Sequence, residues 1–218
     1  MNILFGPVIS RRFGRSLGID LSPTKKQCNF DCLYCELSPA KPIEQQEESI
    51  DLDSILLACE EGLKKHSPID VLTITANGEP TLYPKLASLI KGLDLIKGST
   101  QTLILSNSAS LVNPEVFEAL LNLDPVKLSL DAAKEESFQK VDRPVHSINL
   151  NSVIERIINF SHQFRGKLFL EILLVKGIND SKEEQEAFNA LLAKIKCERI
   201  DIGTIDRPPA YNVEGLSF

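Results

Sequence analysis

The sequence predicts an α/β protein whose single domain, residues 1–218, is a partial (β/α)6 TIM-like barrel. Strand-like and helix-like segments alternate along the chain, which is the pattern of a parallel sheet with crossover helices. The chain has 218 residues and is 43% apolar, enough to bury one core, and no low-complexity linker divides it. A doubly wound sheet is the alternative that the pattern alone leaves open.

Six strands are predicted from short apolar segments, several of which alternate between apolar and polar residues. Such segments are typical of strands that are covered on at least one face. The predicted strands span 16–22, 69–75, 102–106, 126–131, 167–174 and 199–205.

Five helices are predicted between these strands, because apolar residues recur there at helical spacing. The segment 148–164, for example, places Leu150, Val153 and Ile157 on one face. Another begins with Asn113–Pro114, a cap residue followed by a first-turn proline. The predicted helices span 53–65, 84–94, 114–121, 148–164 and 181–195.

The composition favours neither a membrane protein nor a nucleic-acid-binding protein. The net charge is -6, no segment approaches the roughly 18 apolar residues of a membrane helix, and no signal-peptide core follows the N-terminus. We therefore expect a cytoplasmic protein that does not contact a membrane. The charge is uneven, however, because five basic residues lie shortly before or beside the first cysteine: Arg11, Arg12, Arg15, Lys25 and Lys26. A solvated surface explains them most simply, and an anionic substrate or RNA phosphate is the alternative.

Three of the five cysteines form a C-x3-C-x2-C loop after the first predicted strand: Cys28, Cys32 and Cys35. An odd number of cysteines in a reducing compartment argues against a disulfide framework. Three thiolates this close can ligate three irons of a cubane and leave the fourth iron open, as catalytic metal sites do. The loop therefore predicts a 4Fe–4S cluster.

A structural zinc site is the competing interpretation, and it requires four protein ligands. The three histidines are isolated in the sequence, as are the other two cysteines. Cys59 falls on the apolar face of a predicted helix, which is typical of a small buried hydrophobe. No role is predicted for Cys197. Zinc therefore fits this sequence poorly.

The cysteine loop, with Tyr34 before its third cysteine, resembles the signature of the radical S-adenosylmethionine (SAM) superfamily. The resemblance implies two cofactors, a 4Fe–4S cluster and SAM. It also implies that SAM is reductively cleaved to methionine and a 5′-deoxyadenosyl radical, which abstracts hydrogen from a substrate. The electron would come from a reductant such as flavodoxin or ferredoxin.

The next predicted strand ends at Gly78–Glu79, which looks like the family's GE motif. In the family that motif receives the amino group of the SAM methionine. A carboxylate suits an ammonium group, and glycine lets the backbone approach closely. In either sheet architecture, functional residues are expected at such carboxyl ends of strands.

Further polar residues lie at the ends of the third and fourth predicted strands, where the resemblance implies contacts to SAM. They are Ser106, Asn107, Ser129 and Asp131. Taken singly, each is equally well explained by a strand-end turn or cap. Glu171, in the fifth predicted strand, is expected either to face the barrel interior or to pair with an arginine.

Residues 6–18 resemble a narrower group, the uncharacterised bacterial iron–sulfur oxidoreductase-like proteins similar to wyosine-tRNA synthesis radical SAM enzymes. Two Asp-Arg-Pro segments, at 142–144 and 206–208, fit this group as well. Each arginine is a candidate to hold a substrate phosphate or carboxylate, and a local pairing with its aspartate is the alternative. Arg207 directly follows a predicted strand, so it is a better candidate than Arg143.

One departure argues against wyosine chemistry on tRNA. The wyosine enzymes use additional N-terminal cysteines for a second cluster, whereas no cysteine precedes Cys28 here. The substrate is therefore left open among RNA, a small metabolite and a peptide. A non-catalytic iron–sulfur protein for electron transfer or maturation is the alternative from a different class. Such a protein would need a fourth ligand to the cluster, and none is suitably spaced.

Overall fold

Seven strands form one sheet in the order in which they occur along the chain. The computed structural model describes residues 2–10 and 12–217. The strands are β1 (Leu4–Ser10), β2 (Gly14–Asp20), β3 (Val71–Thr75), β4 (Gln101–Ser106), β5 (Pro125–Ser129), β6 (Lys167–Leu174) and β7 (Arg199–Thr204).

The sheet is a partial barrel, because β2 to β7 are parallel and each pairs with the next. A doubly wound sheet would reverse its strand order at a switch point, and this order has no reversal. The six predicted strands correspond to these six. The sequence analysis missed β1, which pairs antiparallel with β2. Gly6–Pro7 lies inside β1 and breaks the expected strand pattern, and such residues are tolerated on an edge strand.

Six α-helices connect the strands, and most begin at residues suited to capping. Asn113, Asn149 and Ser181 each accept a hydrogen bond from a first-turn N–H. The helices are α1 (Leu52–His66), α2 (Leu86–Ile96), α3 (Pro114–Leu120), α4 (Glu135–Val141), α5 (Leu150–Gln163) and α6 (Lys182–Leu192). The short helix α4 was not predicted, since its sequence EESFQKV has only one turn's worth of apolar spacing. No helix within the described part of the chain is long and apolar enough to cross a membrane.

The β1–β2 hairpin reaches across to the far strands of the open barrel. Phe13 contacts Phe169 of β6 edge to face, with ring centroids 5.1 Å apart. Beside it, the Arg12 guanidinium lies 3.5 Å from Glu171 and 3.4 Å from Asp201. One basic residue of the N-terminal segment is thus paired with acids of the sheet. Arg11 lies outside the described residues.

Candidate active site

The three clustered cysteines line one cavity of about 230 Å³ at the carboxyl end of the sheet. Their loop follows β2 and curls back on itself, because the Cys35 N–H donates to the Cys32 carbonyl at 3.1 Å. The Phe30 N–H points at the Cys28 sulfur at 3.4 Å. Backbone donors of this kind are among the features that tune thiolate ligands of iron–sulfur clusters.

The donor set fits a cubane better than a single metal ion. No group of three or more His, Cys, Asp or Glu residues surrounds one ion position within residues 2–10 and 12–217. A zinc site would place all ligands about 2.3 Å from one point, whereas a cubane takes each thiolate on a different iron. Three thiols around a shared cavity match the second arrangement.

Burial controls the protonation of these thiols in the metal-free protein. Loss of solvent raises the pKa of Cys28 to about 12, and the nearby Glu79 carboxylate adds to the effect. Burial also raises the pKa of Cys32 well above its ordinary value, and Asp142 contributes. Both thiols therefore carry protons until a metal replaces them.

Gly78 lies directly against the start of the cysteine loop. It forms a parallel bridge with Gln27, and the Glu79 N–H donates to the Gln27 carbonyl at 2.9 Å. The φ of Gly78 is +132°, and a Cβ there would lie 1.9 Å from the same carbonyl oxygen. Only glycine permits this approach.

Glu79 is 4% exposed, and its carboxylate links the ends of β3 and β4. Its Oε1 accepts from the Thr81 N–H at 3.0 Å, the Thr81 hydroxyl at 2.6 Å and the Ser106 hydroxyl at 2.8 Å. Among the described residues, its Oε2 has one donor, the Asn107 N–H, at 2.8 Å. Burial raises the pKa of Glu79 while these donors lower it. Because Oε2 has a single donor, it keeps the capacity to accept another.

Asn107 connects this carboxylate to the cysteine loop. Its side-chain amide donates to Asn29 Oδ1 at 2.7 Å and lies 3.8 Å from the Cys28 sulfur. Ser106 and Asn107 both line the thiol cavity. The structure therefore brings the predicted residues of β3 and β4 together with the cysteines.

Ser129 and Tyr34 also line the cavity, whereas Asp131 does not. Asp131 lies behind Tyr34 and contacts it. The Tyr34 hydroxyl donates to Asp131 Oδ2 at 2.5 Å, and the Leu173 N–H donates to Oδ1 at 2.7 Å. Burial raises the pKa of Asp131 to about 6. Asp131 thus holds Tyr34, which itself faces the cavity.

The two predicted substrate arginines do not line this cavity. Arg143 donates two hydrogen bonds to Asp31. Its Nε donates to the Asp31 carbonyl at 2.7 Å, and its Nη2 donates to the carboxylate Oδ2 at 2.5 Å. Arg207 is exposed and pairs with Glu36 at 2.7 Å. Both lie beside the cysteine loop, and their contact with a substrate stays a prediction.

Two lysines lie on the cavity wall, Lys26 and Lys127, and Lys127 was not predicted from the sequence. Lys127 pairs with Glu171, which faces the same cavity. The alternation of strand side chains holds the clue to Lys127, since it lies two residues before Ser129 and shares its face. Lys26 belongs to the basic segment that the sequence analysis noted before the first cysteine.

A larger cavity of about 600 Å³ lies on the other side of Asn29, between the starts of α2 and α3. None of the predicted cofactor or metal residues lines it. We place the site at the smaller cavity because the thiols line that one.

The sequence profile of the Radical SAM superfamily matches residues 23–188, most of the chain. The chain belongs to the radical SAM superfamily. Members of this superfamily bind a 4Fe–4S cluster and SAM, the two cofactors predicted from the sequence. A UPF0026 protein of Helicobacter pylori (strain ATCC 700392 / 26695) is 49% identical over 216 residues, which cover 99% of this chain and 70% of that protein.

Solved radical SAM structures share the fold. TYW1 with a lysine-pyruvate adduct bound has a TM-score of 0.61 at 18% identity and covers 88% of this chain and 65% of its own. Native anSMEcpe with bound AdoMet has a TM-score of 0.64 at 16% identity and covers 92% of this chain and 56% of its own. These likenesses confirm the predicted partial barrel.

Proposed function

We propose that residues 1–218 form a single radical SAM core domain that reductively cleaves SAM at a cluster held by Cys28, Cys32 and Cys35. The observation that supports this most is the shared cavity, which the three thiols line together with Gly78 and Glu79. The reduced cluster, when bound, would supply the one electron that breaks the sulfonium S–C bond of SAM, which yields methionine and a 5′-deoxyadenosyl radical.

The residues around the thiols bind and orient SAM. Glu79 Oε2 accepts from the methionine ammonium, since it has one donor and room for another. Gly78 lets the ligand approach the backbone because it has no side chain. The side chains of Ser106, Asn107, Ser129 and Tyr34 supply the remaining polar contacts, and Asp131 orients Tyr34.

The cavity wall favours a polar substrate. Barrel interiors are filled mainly by branched apolar side chains, yet here Lys127 and Glu171 face the cavity as an ion pair. Lys127 and Arg12 both donate to Glu171 Oε1. Within residues 2–10 and 12–217 no side-chain donor reaches Oε2, which is therefore available to a substrate donor. Lys127 has further N–H groups for an acceptor.

An RNA substrate receives less support from the structure than a small polar molecule does. Arg12, one of the basic residues that suggested RNA, is paired with Glu171 and Asp201. Lys25 is likewise paired, with Glu47 and Glu48. We place the enzyme in the cytoplasm with a one-electron reductant such as flavodoxin or ferredoxin.

The deciding experiment measures 5′-deoxyadenosine released from SAM by the anaerobically reconstituted protein with dithionite. The Cys35→Ala variant is the control. Release that depends on Cys35 supports the proposal. A protein that holds a cluster but neither binds SAM nor releases 5′-deoxyadenosine contradicts it and favours the electron-transfer alternative.

A further inference from the structure

Lys26 is a buried lysine beside the cysteine loop. Its side chain is 8% exposed, and its ammonium donates to Asp31 Oδ1 at 3.0 Å. It lines the cavity together with the three cysteines. Burying an ammonium is costly unless it is paired. The neighbouring Lys25 shows the ordinary arrangement, with a side chain 39% exposed and two surface glutamates as partners.

The charges around Lys26 do not cancel. Asp31 is its partner, but the same carboxylate also accepts from Arg143 at 2.5 Å and from the Tyr211 hydroxyl. One carboxylate therefore faces two cations. The group of Lys26, Asp31 and Arg143 therefore sums to one positive charge, on the opposite side of the balance from the carboxylates of Glu79 and Asp142, which act on Cys28 and Cys32.

We infer that the Lys26 ammonium, held in place by Asp31, is a positioning charge that raises the reduction potential of the cluster. The inference rests on the proposed function, because it takes the three cysteines as cluster ligands. Reduction adds negative charge to the cluster, and a nearby cation stabilises that charge. Net charge and solvent exposure are known to set iron–sulfur potentials. Solvent and salt screen a buried cation less than a surface one.

The test is a potentiometric titration of the anaerobically reconstituted protein without SAM, followed by electron paramagnetic resonance of the reduced cluster. Lys26→Gln keeps a donor for Asp31 but removes the charge. We expect its reduction equilibrium constant to fall at least tenfold, which is a midpoint shift of 59 mV to more negative values for one electron. Lys26→Arg should restore the wild-type potential. Lys25→Gln, the matched surface control, should leave it unchanged.

Asp31→Asn provides a second, opposite measurement. It removes a negative charge from the same group, so the midpoint should move to more positive values. Shifts in the same direction for Lys26→Gln and Asp31→Asn would indicate a distorted loop and overturn the inference. An unchanged potential in Lys26→Gln at full iron content would overturn it as well. Where Lys26→Gln fails to assemble a cluster, the sign of the Asp31→Asn shift decides.

The outcome is separable from that of the proposed function. A wild-type protein that holds a cluster yet neither binds SAM nor releases 5′-deoxyadenosine contradicts SAM cleavage, while the comparison of potentials remains valid. A Lys26→Gln variant whose SAM affinity falls at an unchanged potential would place Lys26 on SAM instead and refute the charge role.

Discussion

Arg143 donates hydrogen bonds to both the main chain and the side chain of Asp31. Its Nε donates to the Asp31 carbonyl at 2.7 Å and its Nη2 to the carboxylate at 2.5 Å. The Tyr211 ring lies 3.9 Å from the guanidinium and its hydroxyl reaches the same carboxylate. Arg143 itself has a φ of +48°, a conformation that non-glycine residues rarely adopt. The cysteine loop is thereby clamped between the loop after α4 and the C-terminal segment.

Arg143→Ala should destabilise the metal-free protein by about 1–3 kcal/mol, because the Asp31 carbonyl loses a charged donor and its part-buried carboxylate keeps only one of two, Lys26. Arg207→Ala is the matched control, since its pair with Glu36 is exposed on both sides and exposed pairs contribute about 0–1 kcal/mol. Urea unfolding measures both. Equal losses in the two variants would mean that Arg143 does not clamp the loop.

Replacing Cys28, Cys32 or Cys35 by alanine should abolish cluster binding, because we propose that each supplies one of the three thiolates. Cys59 is fully buried in α1 and Cys197 precedes β7, so Cys59→Ala and Cys197→Ala should retain full iron. Iron and sulfide content after anaerobic reconstitution is the measurement. Full iron incorporation in Cys32→Ala would remove that residue from the ligand set.

Gly78→Ala should cost at least about 3 kcal/mol of stability. The new Cβ would meet the Gln27 backbone at 1.9 Å, and the φ of +132° adds strain. Gly203→Ala is the control, since a Cβ at Gly203 meets no atom within 4 Å, and we expect a change within about 0.5 kcal/mol. Thermal unfolding of both variants checks the difference. A stable Gly78→Ala protein would show that the bridge to Gln27 can relax.

The parallel strands could be predicted from the sequence because each is a short apolar segment next to a helical one. The predicted segment 167–174 coincides with β6, and the boundaries of the other five predicted strands differ from the observed ones by at most two residues. The edge strand β1 could not be predicted in the same way. Residues 4–10 form a strand because they pair with β2, and this pairing continues on both sides of Gly6–Pro7.

The site could be predicted where a residue type had a fixed place at a strand end, as for Gly78, Ser106 and Ser129. What the sequence did not reveal were contacts between distant segments. Asp31 and Tyr211 are 180 residues apart, and no local pattern joins them. Glu79 was expected to face SAM, whereas its carboxylate oxygens accept most of their hydrogen bonds from residues at the ends of β3 and β4. Its contact with SAM stays a prediction.

The pKa of Asp131 predicts how stability changes with pH. Burial raises it from 3.8 to about 6, so the folded protein binds a proton more tightly than the unfolded chain. This stability is fully present below pH 4 and is lost as pH rises through 6. The loss should amount to about 3 kcal/mol at 1.36 kcal/mol per unit.

Asp131→Asn should remove that loss while the amide keeps partners in Tyr34 and the Leu173 N–H. Urea unfolding of the metal-free protein between pH 4 and 7 compares the two slopes. Parallel pH profiles for wild type and Asp131→Asn would show that Asp131 titrates as it does in the unfolded chain.

The Lys127–Glu171 pair allows a test of why charges are retained in the barrel interior. Their side chains are 12% and 32% exposed, close to the 13% and 38% of Lys97 and Asp124, a pair outside the cavity. Replacing such a pair by apolar residues is often neutral or stabilising, whereas removing one member leaves a charge without its partner. Lys127→Met leaves Glu171 with the more distant and more exposed Arg12 guanidinium at 3.5 Å and should therefore cost about 1–3 kcal/mol. The double variant Lys127→Met/Glu171→Leu should recover wild-type stability, because Arg12 keeps its pair with Asp201.

The control pair should behave differently, because Asp124 also accepts from the Thr102 N–H at 2.9 Å. The double variant Lys97→Met/Asp124→Leu leaves the Thr102 N–H without its acceptor. It should therefore remain destabilised by about 1–3 kcal/mol. Thermal unfolding of the three variants completes both comparisons. If the Lys127→Met/Glu171→Leu protein is as stable as wild type, folding does not require the pair, and its position on the cavity wall points to a polar substrate as the reason for its presence. A double variant less stable than Lys127→Met alone would make the pair a structural feature and remove the argument for a polar substrate.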